Sequence, residues 1–297
     1  MASGDCHGGK MSNAAPSAKA VRPIRIGFLV RWFFAIILSA IALLPAWWMF
    51  NVVFSDAGAA LSLGPRLLPT SLQGGFDNIT SVLADGPFIR AFVNSIIYSG
   101  LTAGLVLVFA SAAAYEFAHY DFPGRRLLYI VCLMGLMLPL AVIVIPTQRI
   151  VAAFGWLNSI PGVVLPSTAS AFALFFLTEY MRAIPRELFE AARLDGATHF
   201  GIYWRIAIPL SRNALVTIGI LILIIAWASY LWPLVVASNS AAYPISVQVA
   251  GYFSIGAKYP TNVVMTAAFL SAIPIVIFYL AFNRLIVDGI ARSGAIG

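Results

Sequence analysis

One candidate for chemistry stands near the N-terminus, where Gly4-Asp5-Cys6-His7-Gly8-Gly9-Lys10 has the Gly-x-x-x-x-Gly-Lys spacing of a phosphate-binding loop. Such a loop cradles phosphate in backbone N–H groups and needs a Ser or Thr hydroxyl after the lysine to hold magnesium. Met11 takes that position here, with no strand expected before the loop and no helix after it, so nucleotide binding is not expected there. The histidines His7, His119 and His199 are too scattered for a zinc site or a nucleophilic triad. Cys6 and Cys132 fall in a tail and in an apolar run, and cannot bridge. The sequence therefore predicts no catalytic residue, no metal site and no cofactor bound by this chain.

A second constellation is built for docking rather than catalysis. Glu190-Ala191-Ala192-Arg193-Leu194-Asp195-Gly196 is followed after nine residues by Ile206-Ala207-Ile208-Pro209. Pro185 suits the first position of a helix, and Glu187 in the first turn suits the helix dipole. Leu188, Ala191 and Ala192 then share a face at i, i+3, i+4, and the two alanines would let another protein's backbone approach closely. Asp195-Gly196 reads as a turn, with glycine free to take positive φ. A second short amphipathic helix is expected from about Thr198 to Ile206, leading to Pro209.

The elements that must position this segment are hydrophobic. Of 297 residues, 61% are hydrophobic and only 10% charged, which excludes an ordinary soluble domain. Six apolar runs approach the roughly 20 residues that span a bilayer: 28–50, 91–117, 127–147, 163–180, 214–236 and 261–283. The fourth is short and broken by Pro166 and a Ser/Thr cluster. With both termini cytoplasmic, every Lys and Arg except Arg66, Arg90, Arg149 and Lys258 falls on the cytoplasmic side. That bias explains the net charge of +7 without a nucleic-acid partner. The expected fold is all-α integral membrane, a six-helix domain over 28–283 with the docking loop at 181–213. A disordered cytoplasmic tail is expected at 1–27 and a second cytoplasmic tail at 284–297. Asn78-Ile79-Thr80 forms a glycosylation tripeptide of the kind that arises by chance.

The full pattern, Glu-Ala-Ala, three residues, Gly, nine residues, Ile-x-Leu-Pro with Ile208 for Leu, resembles the signature loop of permease subunits of binding-protein-dependent ABC importers. Further phrases are similar to the carbohydrate branch, the second permease subunit of maltose-type importers. They are Ala114-Tyr115-Glu116-Phe117-Ala118, Phe122-Pro123-Gly124-Arg125, Gly155-Trp156-Leu157-Asn158-Ser159, Ile184-Pro185-Arg186-Glu187-Leu188 and Trp232-Pro233-Leu234. The resemblance implies a type I importer fold in a bacterial-type inner membrane. It implies a second permease subunit, a homodimeric ATPase that uses ATP and magnesium, and an external solute-binding protein. It assigns ATPase coupling to Glu187, Leu188, Glu190, Ala191, Ala192, Asp195, Gly196 and Pro209. Ser238, Asn239 and Ser240, in an external loop, would contact the binding protein. Two departures stand out: Ala228-Ser229 follows Trp227 where the family has Asn, and the C-terminal Gly294-Ala295-Ile296-Gly297 lacks the usual lysine.

Polar residues inside the apolar runs are candidates for a solute path. Asn94, Tyr98 and Thr102 recur at i, i+4, i+8; Thr168 marks the fourth run, and Trp227 and Tyr230 the fifth. Hydroxyls, amides and aromatic faces suit a neutral sugar, whereas the same residues also join helices by hydrogen bonds. Glu116 and Glu179 fall near span ends and read as interfacial, which argues against an ion-coupled transporter. The function expected is carbohydrate import. The alternatives are a permease for glycerol phosphate, amino acid or peptide, a stand-alone secondary transporter, or a membrane scaffold.

Overall fold

The computed structural model describes residues 26–56, 68–254 and 259–294. The tail read at 1–27, with its phosphate-loop pattern, lies outside them up to residue 25, as do Arg66 and Lys258. Two units divide the chain, Met1–Trp47 and Trp48–Gly297. Among the described residues all regular structure is helical. The first unit is described as the greater part of α1 (Ile26–Val53), whose end from Trp48 belongs to the second unit.

The second unit continues with α2 (Leu72–Leu83), α3 (Gly86–His119), α4 (Arg125–Met134), α5 (Leu140–Ala153), α6 (Ile160–Val164) and α7 (Ala171–Arg182). Then come α8 (Arg186–Leu194), α9 (His199–Ile202), α10 (Ile208–Leu210), α11 (Arg212–Trp227), α12 (Leu231–Val236), α13 (Ile245–Ser254) and α14 (Thr261–Gly294). The starts follow local chemistry: Ser71, Ser159, Ser170 and Thr198 each cap a helix by accepting a backbone N–H three residues on. Gly124, at φ +79°, opens α4 in the left-handed region that glycine enters freely.

Among the described residues three helices are long and apolar enough to cross a membrane: Val30–Val53, Gly86–His119 and Thr261–Asn283. Two bent pairs raise the candidates to five, one pair bending by 43° between α6 with its 3₁₀ turn and α7, the other by 76° between His199–Leu210 and α11. The sixfold expectation is thus met only in part. The run at 127–147 is split into α4 and α5 by the Gly135–Pro139 stretch, because Pro139 has no N–H to continue the ladder. The run at 214–236 likewise stops at Trp227, and α12 begins only at Leu231. At the other end, the backbone of α14 stays helical to Gly294, well into the stretch read as a tail.

Helix α3 is the axis of packing. Its buried Val106, Ala110 and Ala114 meet Leu174, Leu177 and Met181 of α7 and Ala214 and Ile218 of α11. Alanines there let backbones come close, which in lipid replaces hydrophobic collapse as the source of cohesion. A second cluster joins Val82, Phe88 and Ala91 to Trp227, Tyr252 and Val264. It is locked by Asn78, whose Nδ2 donates to the Val53 and Ser55 carbonyls (2.8 and 3.1 Å) while its Oδ1 accepts from Asn262 (2.6 Å). Asn78 of the glycosylation tripeptide is therefore a buried clip between the end of α1, α2 and α14.

Candidate functional site

The loop 181–213 follows its sequence closely. Helix α8 begins at Arg186, so Pro185 precedes the first helical residue, and Glu187 lies in the first turn. Its end is a Schellman turn: Ala197 N donates to Ala192 O and Gly196 N to Arg193 O, both at 3.0 Å. Gly196 sits at φ +80°, where other L-residues are strained. After α9, a π turn over Tyr203–Ala207 runs into α10, with Pro209 in its first turn, and the chain then bends into α11. Such π turns insert a residue and redirect the helix axis.

Which face of α8 points inward is new. Phe189 is 3% exposed, and Ala192 packs against the same core, while Leu188, Glu190, Ala191 and Asp195 face outward. Phe189 stacks on His119 at 3.8 Å between ring centroids, and Tyr115 lies 6.2 Å from Phe189. Around them Tyr115 and Tyr120 share a hydrogen bond of 2.9 Å, and His199 meets both the Tyr120 ring (4.1 Å) and Glu116 Oε1 (3.4 Å). Arg193 covers the Tyr120 ring at 4.6 Å, and a hydrogen bond to the Tyr120 side chain pushes its pKa up. An aromatic bearing thus ties α8 and α9 to the end of α3. Sequence reading missed it, although the i, i+4 pair Tyr115/His119 was a signal.

Three large apolar side chains stand on the outer surface of the loop. Leu194 is 89% exposed, Phe200 70% and Trp204 51%, beside the charged Glu190 and Arg193. Exposed apolar groups of this size, ringed by charge, suit a protein partner rather than water.

Toward the middle of α3 lies a cavity of about 350 Å³. Tyr98 and Thr102 line it together with Ser95, Ser167, Ser170 and Ser229, and Phe172 and Trp232 supply aromatic walls. Among the described residues no Asp, Glu, Lys, Arg or His lines it. The other path candidates lie elsewhere. Asn94 donates to the carbonyls of Ala241 (2.9 Å) and Tyr243 (3.0 Å). Trp227 is buried and donates to Ser271 O at 3.1 Å, and Thr168 turns back on Leu165 O. Tyr230 is 44% exposed and outside the lining. Ser238, Asn239 and Ser240 are exposed at the tip between α12 and α13.

Comparison with known proteins decides the family. Residues 107–292 match the binding-protein-dependent transport system inner membrane component. The chain belongs to that family. The match covers the end of α3, the cavity-lining α6, α7 and α11, and the whole 181–213 loop. The permease is 30% identical over 267 residues to the arabinooligosaccharides transport system permease protein AraQ of Bacillus subtilis, covering 89% of this chain and 94% of that one. It is 33% identical over 258 residues to the trehalose transport system permease protein SugB of Mycobacterium tuberculosis, covering 86% and 92%. A bacterial ABC transporter involved in import of the acidic polysaccharide alginate has a chain that superposes with a TM-score of 0.77 at 26% identity, covering 88% of this permease and 96% of that chain.

Proposed function

We propose that this permease moves a neutral carbohydrate across the inner membrane as one subunit of an ATP-driven importer. The observation that carries the reading is the cavity beside α3, lined by hydroxyl-bearing, aromatic and aliphatic side chains and, among the described residues, by no charged one. Sugars offer hydroxyls to bond and apolar ring faces to stack, and a single buried unpaired charge would cost several kcal/mol. Relatives named for arabinooligosaccharides and trehalose support the same solute class. The described lining of this subunit offers no charge to pair with the phosphate of glycerol phosphate or the carboxylates of an acidic saccharide.

In this reading the chain makes six spans, with α4 and α5 together completing the third, and both termini and loop 181–213 are cytoplasmic. A homodimeric ATPase, using ATP and magnesium, docks on α8 and the exposed Leu194, Phe200 and Trp204. Glu190 supplies a polar or ionic contact, with Glu187, Leu188 and Ala191 beside it. Phe189 and Ala192 hold α8 on the bearing, so motion of the ATPase passes to α3. A second permease subunit faces the cavity, and a solute-binding protein meets the tip at Ser238–Ser240. The pull-down that tests the assembly compares wild type with Glu190→Ala/Gly196→Asp after detergent extraction. Wild type should retain an ATPase, a second permease and a binding protein, and the variant should lose the ATPase alone. A wild-type chain that emerges alone and monodisperse contradicts the proposal.

A further inference from the structure

The tip between α12 and α13 carries three exposed side chains, Ser238, Asn239 and Ser240. A tip left to itself would sample many backbone conformations, and each ordered residue costs about 1–2 kcal/mol of entropy on docking. Here the backbone is already held from two sides. From the α13 side, α3 takes hold of Ala241 to Ile245: Asn94 donates to two carbonyls, Tyr98 Oη donates to Ala242 O (3.1 Å), and Ser95 Oγ accepts from Ile245 N (2.7 Å). On the α12 side one residue from a remote part of the chain does the same work.

That residue is Asn158, in the turn between α5 and α6. Its N–H donates to Val236 O at 3.1 Å, and its Oδ1 accepts from both Ser238 N (2.6 Å) and Asn239 N (2.9 Å). It stands at φ +57°, the one non-glycine residue at positive φ among those described. Asparagine is tolerated in that region better than most residues, and the conformation lets one side chain and its own backbone clasp a neighbouring segment together. Asn239 then uses its own Oδ1 to accept from Ala241 N (2.9 Å), starting the short 3₁₀ turn Ser240–Ala242. The two N–H groups that Asn158 holds belong to residues of the exposed tip itself.

The geometry points to Asn158 as a positioning residue for the external partner: it fixes the tip in the conformation that the solute-binding protein meets. This rests on the proposed contact of Ser238–Ser240 with that protein. The α5–α6 turn is thereby part of the recognition apparatus, although it sits 80 residues from the tip in sequence.

Two substitutions separate geometry from backbone strain. Asn158→Gly keeps positive φ accessible and deletes only the acceptor, while Asn158→Asp keeps an acceptor oxygen on the same backbone. The first readout, on the full complex in detergent, is amide hydrogen exchange at Ser238 and Asn239. Asn158→Gly should accelerate it about tenfold, because each lost bond is a modest but real restraint; Asn158→Asp should stay within about threefold of wild type. The second readout is proteoliposome uptake of arabino-oligosaccharide or trehalose as the recovered binding protein is titrated. The half-saturating binding-protein concentration should rise about tenfold in Asn158→Gly and recover in Asn158→Asp, with the maximal rate and the ATPase rate without binding protein unchanged. Unchanged exchange in Asn158→Gly overturns the clasp. If deleting Ser238–Ser240 shifts the titration but Asn158→Gly does not, the positioning role fails while the contact stands. If neither shifts it, the contact itself is wrong.

Discussion

Gly196 offers a quantitative test of the coupling loop. A Cβ placed there would meet nothing within 4 Å, so substitution creates no clash. What it perturbs is the backbone at φ +80°, which closes the Schellman turn through the Ala197–Ala192 and Gly196–Arg193 bonds. An alanine in that region costs about 1–2 kcal/mol, which lowers the population of the docking-competent turn by about fivefold to thirtyfold. Asparagine enters the same region more readily, and Gly196→Asn should retain uptake within about threefold of wild type. Gly196→Asp shares that tolerance but sets a carboxylate beside Asp195, at the negative end of the α8 dipole, and should abolish uptake. The assay is ATP-driven uptake in proteoliposomes, normalised to inserted chain, with protease accessibility as the check on insertion. Equal uptake by wild type and Gly196→Ala, or equal loss in Gly196→Asn and Gly196→Ala, would refute the conformational argument. Normal uptake by Gly196→Asp would count against docking at this turn.

Phe189→Ala, which removes a 3%-exposed ring stacked on His119, should cost about 3–5 kcal/mol of local packing and uncouple ATP hydrolysis from uptake; Phe189→Leu should be milder, and the ratio of ATP hydrolysed to solute moved reads both. Asn78→Ala leaves the Val53 and Ser55 carbonyls and the Asn262 amide without their partner, so the melting temperature of the purified complex should fall by several degrees. Mass spectrometry should find Asn78 without a glycan. Thr102→Val keeps the shape of the cavity wall but removes a hydroxyl, and should raise the half-saturating solute concentration several-fold without loss of stability.

How far the sequence foretold this depends on the range of the interactions. The turn at Gly196 and the helix start at Thr198 are local, and spacing alone located the loop. The inward face of α8 was harder, because a short helix with Leu188, Phe189, Ala191 and Ala192 offers two apolar faces, and only the aromatic end of α3 selects Phe189 and Ala192. Polar residues of α3 share one stripe, yet their partners divide them. Asn94 reaches loop carbonyls 147 and 149 residues away, whereas Thr102 faces the cavity. Trp227 found its acceptor in Ser271, 44 residues on, a pairing that no periodicity encodes. Hydropathy marked apolar runs but not the break between α4 and α5 at Pro139 or the 76° bend into α11, since a broken helix is as apolar as a straight one.

A chain with this cavity should carry neutral sugar at the expense of ATP. The complex recovered by pull-down, reconstituted with its binding protein, would be assayed for ATP-dependent uptake of arabino-oligosaccharide and trehalose beside glycerol 3-phosphate and an alginate oligosaccharide. Uptake of at least one neutral saccharide, dependent on both ATP and binding protein, is expected, with uptake of neither anion. Uptake of an anion in preference, or uptake by the purified chain alone driven by an ion gradient, would contradict it.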